Sequence, residues 1–271
     1  MAQKSNNSSA TIWGEHELAK TKIRSFAIGD LQLWCKQRKN EIHIATLRGS
    51  SNEESLSQSE NPPENATWSR WALKKEHSKI RISPIFPDRP IVVKLESQLK
   101  IHLKAQAKIY LRVPIWLKIE LANRDATTLV DSPIVTLSNT WFGTFADGEL
   151  CYWITSGARQ EIEPDPDRPF MAICPIVLIN NSERDLVVEK ICLRVTNLSL
   201  FFDETQLWAD ETRITYKGEE ATSQIDFSAR PPLEAPQARL LSLARIPVKR
   251  GIVAQTFASL KDFAGIGVLM N

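Results

Sequence analysis

The densest group of residues that could do chemistry is a run of carboxylates in the second half of the chain. Its members are Glu161, Glu163, Asp165 and Asp167. Carboxylate oxygens are the ligands that Ca²⁺ and Mg²⁺ prefer in proteins. However, Pro164 and Pro166 stiffen the run, and it lacks the D-x-[DN]-x-[DN]-G spacing of a calcium-binding loop. We therefore interpret residues 161–167 as a solvated linker.

The histidines and cysteines do not form a recognised catalytic or metal-binding motif. All four histidines lie before residue 103, whereas three of the four cysteines lie after residue 150. The sequence contains no C-x-x-C pair, no H-E-x-x-H, no G-x-S-x-G and no glycine-rich phosphate loop. We predict no catalytic, cofactor-binding or metal-ligating residue, and we expect reduced, partly buried cysteines. An enzyme whose site is assembled from scattered residues stays an alternative.

A basic segment is the first candidate for binding. Residues 89–124 contain eight lysines and arginines but only two glutamates. Alternate residues of a strand share one face, which places several cations together beside an aromatic ring. The candidate interaction face comprises Lys100, His102, Lys104, Trp116 and Lys118. An ordinary solvated face is the first interpretation. A protein partner or a second copy of the chain comes next, contact with anionic lipid headgroups stays open, and nucleic acid is not expected.

A second candidate for binding is an aromatic hairpin around Asp147-Gly148. The candidate aromatic patch comprises Trp141, Phe142 and Trp153. Exposed aromatic rings could stack on a sugar or another small ligand, whereas buried rings would form a core layer with cross-strand pairs. We expect a core layer here and keep small-ligand or carbohydrate binding as an alternative function.

The formal charge is distributed unevenly along the chain. Residues 1–125 contain 21 lysines and arginines against 13 aspartates and glutamates, whereas residues 126–271 contain 13 against 19. The whole chain therefore has a net charge of only +2. Opposite charge in the two halves favours association with a protein partner or with a second copy.

Hydrophobic residues at every second position predict strands along most of the chain. The residues expected on one side of a single strand are Ile115, Leu117, Ile119 and Leu121. Gly29-Asp30, Lys39-Asn40, Asp147-Gly148 and Lys217-Gly218 separate such runs and predict hairpins. The predicted fold class is therefore all-β, with antiparallel sandwich-like domains.

An internal repeat predicts two tandem domains of similar plan. Pro87–Pro90 recurs as Pro166–Pro169, and the phrase Lys108–Val113 recurs in similar form at Lys190–Val195. The two offsets differ by three residues, which is ordinary loop variation. A single sandwich that uses one strand phrase twice is the alternative. The predicted segments are a disordered tail at 1–10, a first domain at 11–125, a second domain at 126–246 and a helical tail at 247–271.

The two ends of the chain and one insertion lack the strand pattern. Residues 49–66 contain a single large apolar residue, so we predict a disordered loop. Val253, Phe257 and Leu260 fall at helical spacing and predict a short C-terminal helix. The chain has no apolar leader and no apolar run long enough for a membrane helix, so we expect a cytoplasmic protein.

Several longer phrases resemble an uncharacterised family of bacterial and archaeal proteins known as a domain of unknown function. The phrases are Ser83–Lys94 with its Pro-Asp-Arg-Pro, Val113–Trp116, Leu137–Gly143 with its Thr-Trp-Phe-Gly, and Gly148–Tyr152. The resemblance extends from Trp13 to about Phe202. It implies no activity, cofactor or catalytic residue. Because members are encoded beside genes for small mechanosensitive channels, it implies work at the membrane periphery.

The sequence therefore predicts a non-catalytic cytoplasmic interaction or scaffold protein. Its sheet faces and tail helix would contact a protein partner or a second copy, at a membrane periphery or in a self-assembly. This expectation depends on the missing catalytic motifs and on the uneven charge.

Overall fold

The computed structural model describes most of the chain. The described residues are 12–20, 22–49, 61–123, 126–162, 165, 167–218, 222–248 and 251–258. They form strands and one 3₁₀ turn, Val195–Asn197, so the predicted all-β fold class is confirmed. None of these residues belongs to a helix that could cross a membrane.

The strands are numbered along the chain. They are β1 (Gly14–Glu17), β2 (Arg24–Ile28), β3 (Leu31–Arg38), β4 (Glu41–Arg48), β5 (Thr67–Ala72), β6 (Lys79–Ile85), β7 (Ile91–Ile101), β8 (Gln106–Pro114), β9 (Trp116–Leu121), β10 (Thr128–Pro133), β11 (Ser138–Phe142), β12 (Glu149–Ser156), β13 (Met171–Asn180), β14 (Leu186–Leu193), β15 (Leu200–Phe202), β16 (Leu207–Ala209), β17 (Thr212–Tyr216), β18 (Thr222–Phe227), β19 (Arg239–Ser242), β20 (Ile252–Gln255) and β21 (Phe257–Ala258).

The chain divides into two compact units, and each unit is discontinuous in sequence. Unit 1 comprises Met1–Ile85, Pro114–Val135 and Pro166–Phe170, and unit 2 comprises Phe86–Val113, Thr136–Asp165 and Met171–Asn271. This division differs from the tandem halves 11–125 and 126–246. The reason is strand pairing, because β7 and β8 pair with strands that follow residue 148.

Unit 1 contains two antiparallel sheets of four strands. Sheet A has the order β1-β6-β9-β10, and sheet B has the order β2-β3-β4-β5. The hairpins predicted at Gly29-Asp30 and Lys39-Asn40 join β2, β3 and β4. The predicted alternation along β9 is confirmed, because Ile115, Leu117, Ile119 and Leu121 are all buried.

Unit 2 contains two mixed sheets. Sheet C has the order β11-β12-β7-β14-β21, and sheet D has the order β19-β15-β16-β13-β17-β18-β20, with β8 also paired to β13. The expectation of purely antiparallel sheets is wrong, because β12 pairs with β7 and β13 pairs with both β16 and β17 in parallel. Strand β13 is buried from Ala172 to Leu178, as expected of a strand covered on both faces. The sandwich arrangement of layers stays a prediction.

The internal repeat corresponds to two segments that exchange partners inside unit 2. In each copy, the Pro-Asp-Arg-Pro phrase precedes a long strand, β7 or β13, and the second phrase lies in or at the end of the next strand, β8 or β14. Strand β7 pairs with β14 along most of its length, and β13 pairs with β8. We call this arrangement the crossed pair. The four strands of the two copies thus lie in unit 2, but the Pro-Asp-Arg-Pro phrases do not share a unit, because Pro87–Pro90 belongs to unit 2 and Asp167–Pro169 to unit 1.

The two turns of the crossed pair are joined through Asn180, which is fully buried. Its Nδ2 donates to the carbonyl oxygens of Arg184 at 2.7 Å, Ile101 at 3.0 Å and His102 at 3.2 Å. Its Oδ1 accepts from the backbone N–H and the hydroxyl of Ser182 at 3.1 and 2.7 Å. One amide therefore connects the turn after β7 with the turn after β13.

The ends of the chain only partly overlap with the described residues. The expectation of a helix containing Val253 and Phe257 is wrong, because Val253 pairs with Gln224 in β18 and Phe257 pairs with Ile191 in β14. Hydrogen bonds to these strand edges outweigh a weak local helical pattern. The remaining tail from 259, and the predicted disordered tail at 1–10, lie outside the described residues.

The predicted disordered loop at 49–66 is described only at its two ends. Residues 50–60 lie outside the described part of the chain. At the second end, Ala66 is buried against Trp34 and Ala45 of sheet B. The last residues of the predicted loop are thus anchored on the sheet.

Candidate functional site

The residues of the predicted interaction face belong to different units. Lys100, His102 and Lys104 lie in unit 2, whereas Trp116 and Lys118 lie on β9 in unit 1. Strand β7 ends at Ile101, so only Lys100 is a strand residue among the first three. Strand alternation in the sequence would place Lys100, His102 and Lys104 on one face of a strand. This alternation does not apply, because His102 and Lys104 lie after the end of β7.

Three residues of the predicted face, namely His102, Lys104 and Lys118, contact carboxylates within the chain. His102 Nδ1 lies 2.6 Å from Asp185 Oδ1, and Lys104 Nζ lies 2.6 Å from a carboxylate oxygen of Glu183. Lys118 Nζ lies 2.8 Å from Glu120 on the same strand. These contacts reduce the positive charge that the predicted face offers to a partner.

The predicted aromatic patch lies on two opposite faces of the β11–β12 hairpin. Thr140 pairs with Cys151 and Trp141 pairs with Leu150, so alternation places Phe142 and Trp153 on the Cys151 face and Trp141 on the other. Phe142 is fully buried and Trp153 packs against it, whereas Trp141 is 42% exposed. The hairpin is confirmed, but its loop spans residues 143–148 rather than two residues.

A surface that the sequence reasoning missed lies on sheet B of unit 1. We define the β5 surface as Lys36, Glu41, His43, Trp68, Arg70 and Trp71. Strand β5 is the last strand of its sheet, and no strand in the described part of the chain pairs with its outer edge. All of its side chains except Ser69 are exposed, and Trp68 and Trp71 are 41% and 36% exposed.

Cross-strand contacts order the face of sheet B that carries Trp68. Lys36 Nζ lies 4.5 Å from the centre of the Trp68 ring, and the His43 ring meets Trp68 edge-on at 6.4 Å. Glu41 accepts hydrogen bonds from Arg70 at 2.9 and 3.0 Å, and its Oε2 lies 2.7 Å from His43 Nε2. The His43 contact and then Arg70 hold the pKa of Glu41 below its ordinary value. This carboxylate therefore stays ionised and keeps both partners in place.

An open cleft adjoins this surface at the β3–β4 turn. Its volume is about 720 Å³, and it is lined by Lys20, Arg38, Lys39, Asn40 and Glu41. Lys39 has a positive φ of 49°, which the tight turn requires. Three of the five lining residues are cationic and one is anionic, so the cleft extends the positive character of the β5 surface.

A second cluster lies in sheet C of unit 2. Cys151 of β12 and Cys192 of β14 are buried, and their sulfurs lie with a carboxylate oxygen of Glu149 inside a group of atoms no more than 4.8 Å apart. A hydrogen bond with Cys151, together with burial, raises the pKa of Cys192 well above its ordinary value. Arg194 pairs with Glu149, and Val92 and Phe142 pack against the two cysteines.

A third cluster in unit 2 is a network of charged groups around Lys108. Lys108 Nζ lies 2.6 Å from Glu234 and 2.9 Å from Glu211, and the Tyr110 hydroxyl donates to Glu234 at 2.7 Å. Burial and the neighbouring Glu234 raise the pKa of Tyr110 to about 12. A hydroxyl so far from ionisation is a poor general base near neutral pH, which favours a structural role for this network.

Local signals for these residues were weak in the sequence. Trp68 and Trp71 are three residues apart, so in a strand they must point to opposite faces, and no alternating pattern marks them. Cys151 and Cys192 are 41 residues apart, which matches no metal-binding spacing. The polar segment 49–66 precedes β5 in the sequence, but it does not by itself indicate an edge strand.

Comparison with known proteins gives a family but no function. No curated protein and no solved structure matches the chain. A family model described as "protein of unknown function (DUF432)" matches residues 12–261. This match covers nearly the whole chain and includes both units. The chain therefore belongs to the DUF432 family.

Proposed function

We propose that this protein is a non-catalytic interaction protein that binds an extended acidic segment of a partner protein. The segment would add to β5 as a further strand of sheet B. The observation that carries the proposal is the exposed edge strand β5 with two exposed tryptophans.

The outer edge of β5, which no strand among the described residues covers, supports strand addition. An edge strand presents unpaired N–H and C=O groups that an extended peptide can satisfy. Natural proteins protect such edges with short strands, prolines or inward-pointing charges. Strand β5 has six residues and contains no proline, and tryptophan occupies two of its positions. The edge is therefore suited to pairing with another chain.

The charges around β5 support an acidic partner. The cations of the β5 surface and its cleft are Lys20, Lys36, Arg38, Lys39 and Arg70, and the carboxylates beside them are Glu41 and Glu76, which pairs with Lys20. A positive surface raises the association rate of an acidic segment and disfavours a basic one. An acidic strand would place its carboxylates beside Lys36 and Arg70.

The tryptophans would supply most of the binding energy. Tryptophan and arginine are the residues most enriched among interface positions that cost 2 kcal/mol or more on truncation. Lys36 and His43 already hold the Trp68 ring, so little rotational freedom is lost when a partner packs on it. Trp68 is therefore the expected energetic centre of the surface.

A cytoplasmic location is part of the proposal. Cys35, Cys151, Cys174 and Cys192 are all buried and free, which suits a reducing compartment. In this proposal the β5 surface contacts a protein segment and not lipid. Action at a membrane periphery would therefore require that the acidic segment belong to a membrane protein.

The test uses a defined peptide. A fluorescein-labelled ten-residue peptide of alternating glutamate and valine is titrated with the full chain at low salt, and its anisotropy is measured. We expect Trp68→Ala to weaken binding at least about tenfold, which is about 1.4 kcal/mol. Trp141→Ala is the matched control, because Trp141 is as exposed as Trp68 but lies in unit 2, and it should leave binding unchanged.

Three results would overturn the proposal. One is equal binding of a peptide in which lysine replaces glutamate. Another is undiminished binding of a peptide that is N-methylated at every residue, which has no N–H group to donate from either edge. The third is tighter binding of a ten-nucleotide thymidine oligomer than of the acidic peptide, which would assign the surface to nucleic acid.

A further inference from the structure

We propose that Cys151, Cys192 and Glu149 form a binding site for a thiophilic divalent metal ion, of which Zn²⁺ is the biological example. Their two sulfurs and one carboxylate oxygen lie within 4.8 Å of one another. This site lies in unit 2 and is independent of the β5 surface. It supplies metal ligands that the sequence motifs did not predict.

The spacing of the donor atoms suits one ion. Zinc binds thiolate sulfur at about 2.3 Å and carboxylate oxygen at about 2.0–2.2 Å, so two sulfurs on one tetrahedral ion lie about 3.8 Å apart. The observed group, with no separation above 4.8 Å, needs small side-chain rotations to reach this geometry. Both cysteines project from strands, which are more rigid supports than loops.

The same geometry excludes a disulfide bond between the two cysteines. Strands β12 and β14 lie on opposite sides of β7 in sheet C. Two interstrand spacings separate their backbones by about 9.5 Å, whereas a disulfide requires Cα atoms closer than about 7 Å. The side chains can therefore meet at a shared ion but cannot form a covalent bond. The close approach of the two thiols is therefore better explained by metal binding than by disulfide formation.

Charge balance selects a divalent ion. Without metal, two neutral thiols accompany the Glu149–Arg194 ion pair, so the cluster has no net charge. Binding replaces the two thiol protons, which leave to solvent, by one M²⁺ ion held between two thiolates. The cluster stays neutral, and no electron is transferred. A monovalent ion would leave one uncompensated negative charge in a buried site, which is costly.

The surroundings support the ligands and allow access. Arg194 holds the Glu149 carboxylate, as residues behind a metal ligand commonly do. Val92 and Phe142 pack against the sulfurs on the apolar side of the cluster. The Glu149 side chain is 39% exposed, so an ion can reach the thiols from its side. Three protein ligands would leave the fourth tetrahedral position for water.

The test is metal binding to the full chain after removal of metal with a chelator. Cobalt(II) is the first probe, because thiolate coordination produces a charge-transfer band in the near ultraviolet. We expect one equivalent of cobalt, displaced by zinc, and a raised melting temperature with zinc. Cys151→Ser and Cys192→Ser should each abolish the band and the thermal shift, and Glu149→Gln should weaken cobalt binding about tenfold or more.

Matched controls come from the other two cysteines. Cys35 and Cys174 are also buried and free but lie outside the cluster, so Cys35→Ser and Cys174→Ser should retain the band. Circular dichroism of each variant without metal shows whether it folds. Absence of a stoichiometric band in the wild-type chain would overturn the proposal. So would a band that survives in the folded Cys151→Ser/Cys192→Ser double variant.

Discussion

Replacement of Asn180 by alanine should destabilise unit 2 more than almost any other single polar substitution. The Asn180 amide has two N–H groups, so at most two of its three carbonyl contacts are full hydrogen bonds. Its oxygen accepts two more from Ser182. Four bonds at about 1 kcal/mol each give an expected loss of about 4 kcal/mol.

Urea denaturation followed by tryptophan fluorescence would measure the free energy of unfolding, and hydrogen exchange would locate the loss. We expect exchange to accelerate in β7, β8, β13 and β14. Asn181→Ala is the control, because its side chain is exposed and its hydrogen bonds to Tyr216 and Lys104 come from the backbone. That variant should change stability by less than about 0.5 kcal/mol. A loss below about 1 kcal/mol for Asn180→Ala, or an equal loss for Asn181→Ala, would refute the reasoning.

Two further predictions concern buried charges in unit 2. Burial raises the pKa of Asp210 from 3.8 to about 6, although the N–H groups of Ser199 and Ala229 oppose this rise. Between pH 4 and 6 the folded state binds a proton that the unfolded state has lost, so the free energy of unfolding falls by up to about 3 kcal/mol as pH rises. Asp210→Asn should remove this slope, and identical pH profiles of the two proteins would contradict the prediction. Lys108→Met should cost about 1–3 kcal/mol, because Glu234 then loses its cation while Glu211 keeps only the longer contact with Arg213 at 3.6 Å. Adding Glu234→Gln should recover part of this loss in a double-mutant cycle, whereas simple additivity would show that the groups do not interact.

The parts of the fold that the sequence predicts are those fixed by neighbouring residues. Gly29 adopts a positive φ of 52° between β2 and β3, as the Gly29-Asp30 pair indicates. The alternation in β9 gives the correct buried face because a strand has a period of two residues. The internal repeat also indicates two similar strand pairs, and their strands β7, β8, β13 and β14 all lie in unit 2.

The parts that the sequence does not predict depend on distant pairing. Nothing in β7 itself indicates whether its partner is β8, four residues away, or β14, more than eighty residues away. A repeat is equally compatible with two tandem domains and with two segments that exchange strands. The predicted domain boundary at residue 125 assumes tandem domains, which is the simpler arrangement. The same limit applies to the sites, since Cys151 and Cys192 meet only because β7 lies between their strands.

The tail shows how tertiary pairing outweighs a local pattern. Val253 and Phe257 are four residues apart, which is compatible with one face of a helix. Both nevertheless lie in strands, because the edges of β18 and β14 provide hydrogen-bond partners for an extended backbone. Short apolar patterns of this kind do not distinguish helix from strand.

The crossed pair also determines the order of events during protein synthesis. A ribosome finishes β7 85 residues before it begins β14, which corresponds to about 4–17 seconds at 5–20 residues per second. Throughout that interval β7 lacks its antiparallel neighbour β14. Three of its residues, Ile91, Val92 and Val93, are buried in the folded protein. The nascent chain therefore carries an apolar strand with an open edge, which makes it prone to aggregation until β14 is synthesised.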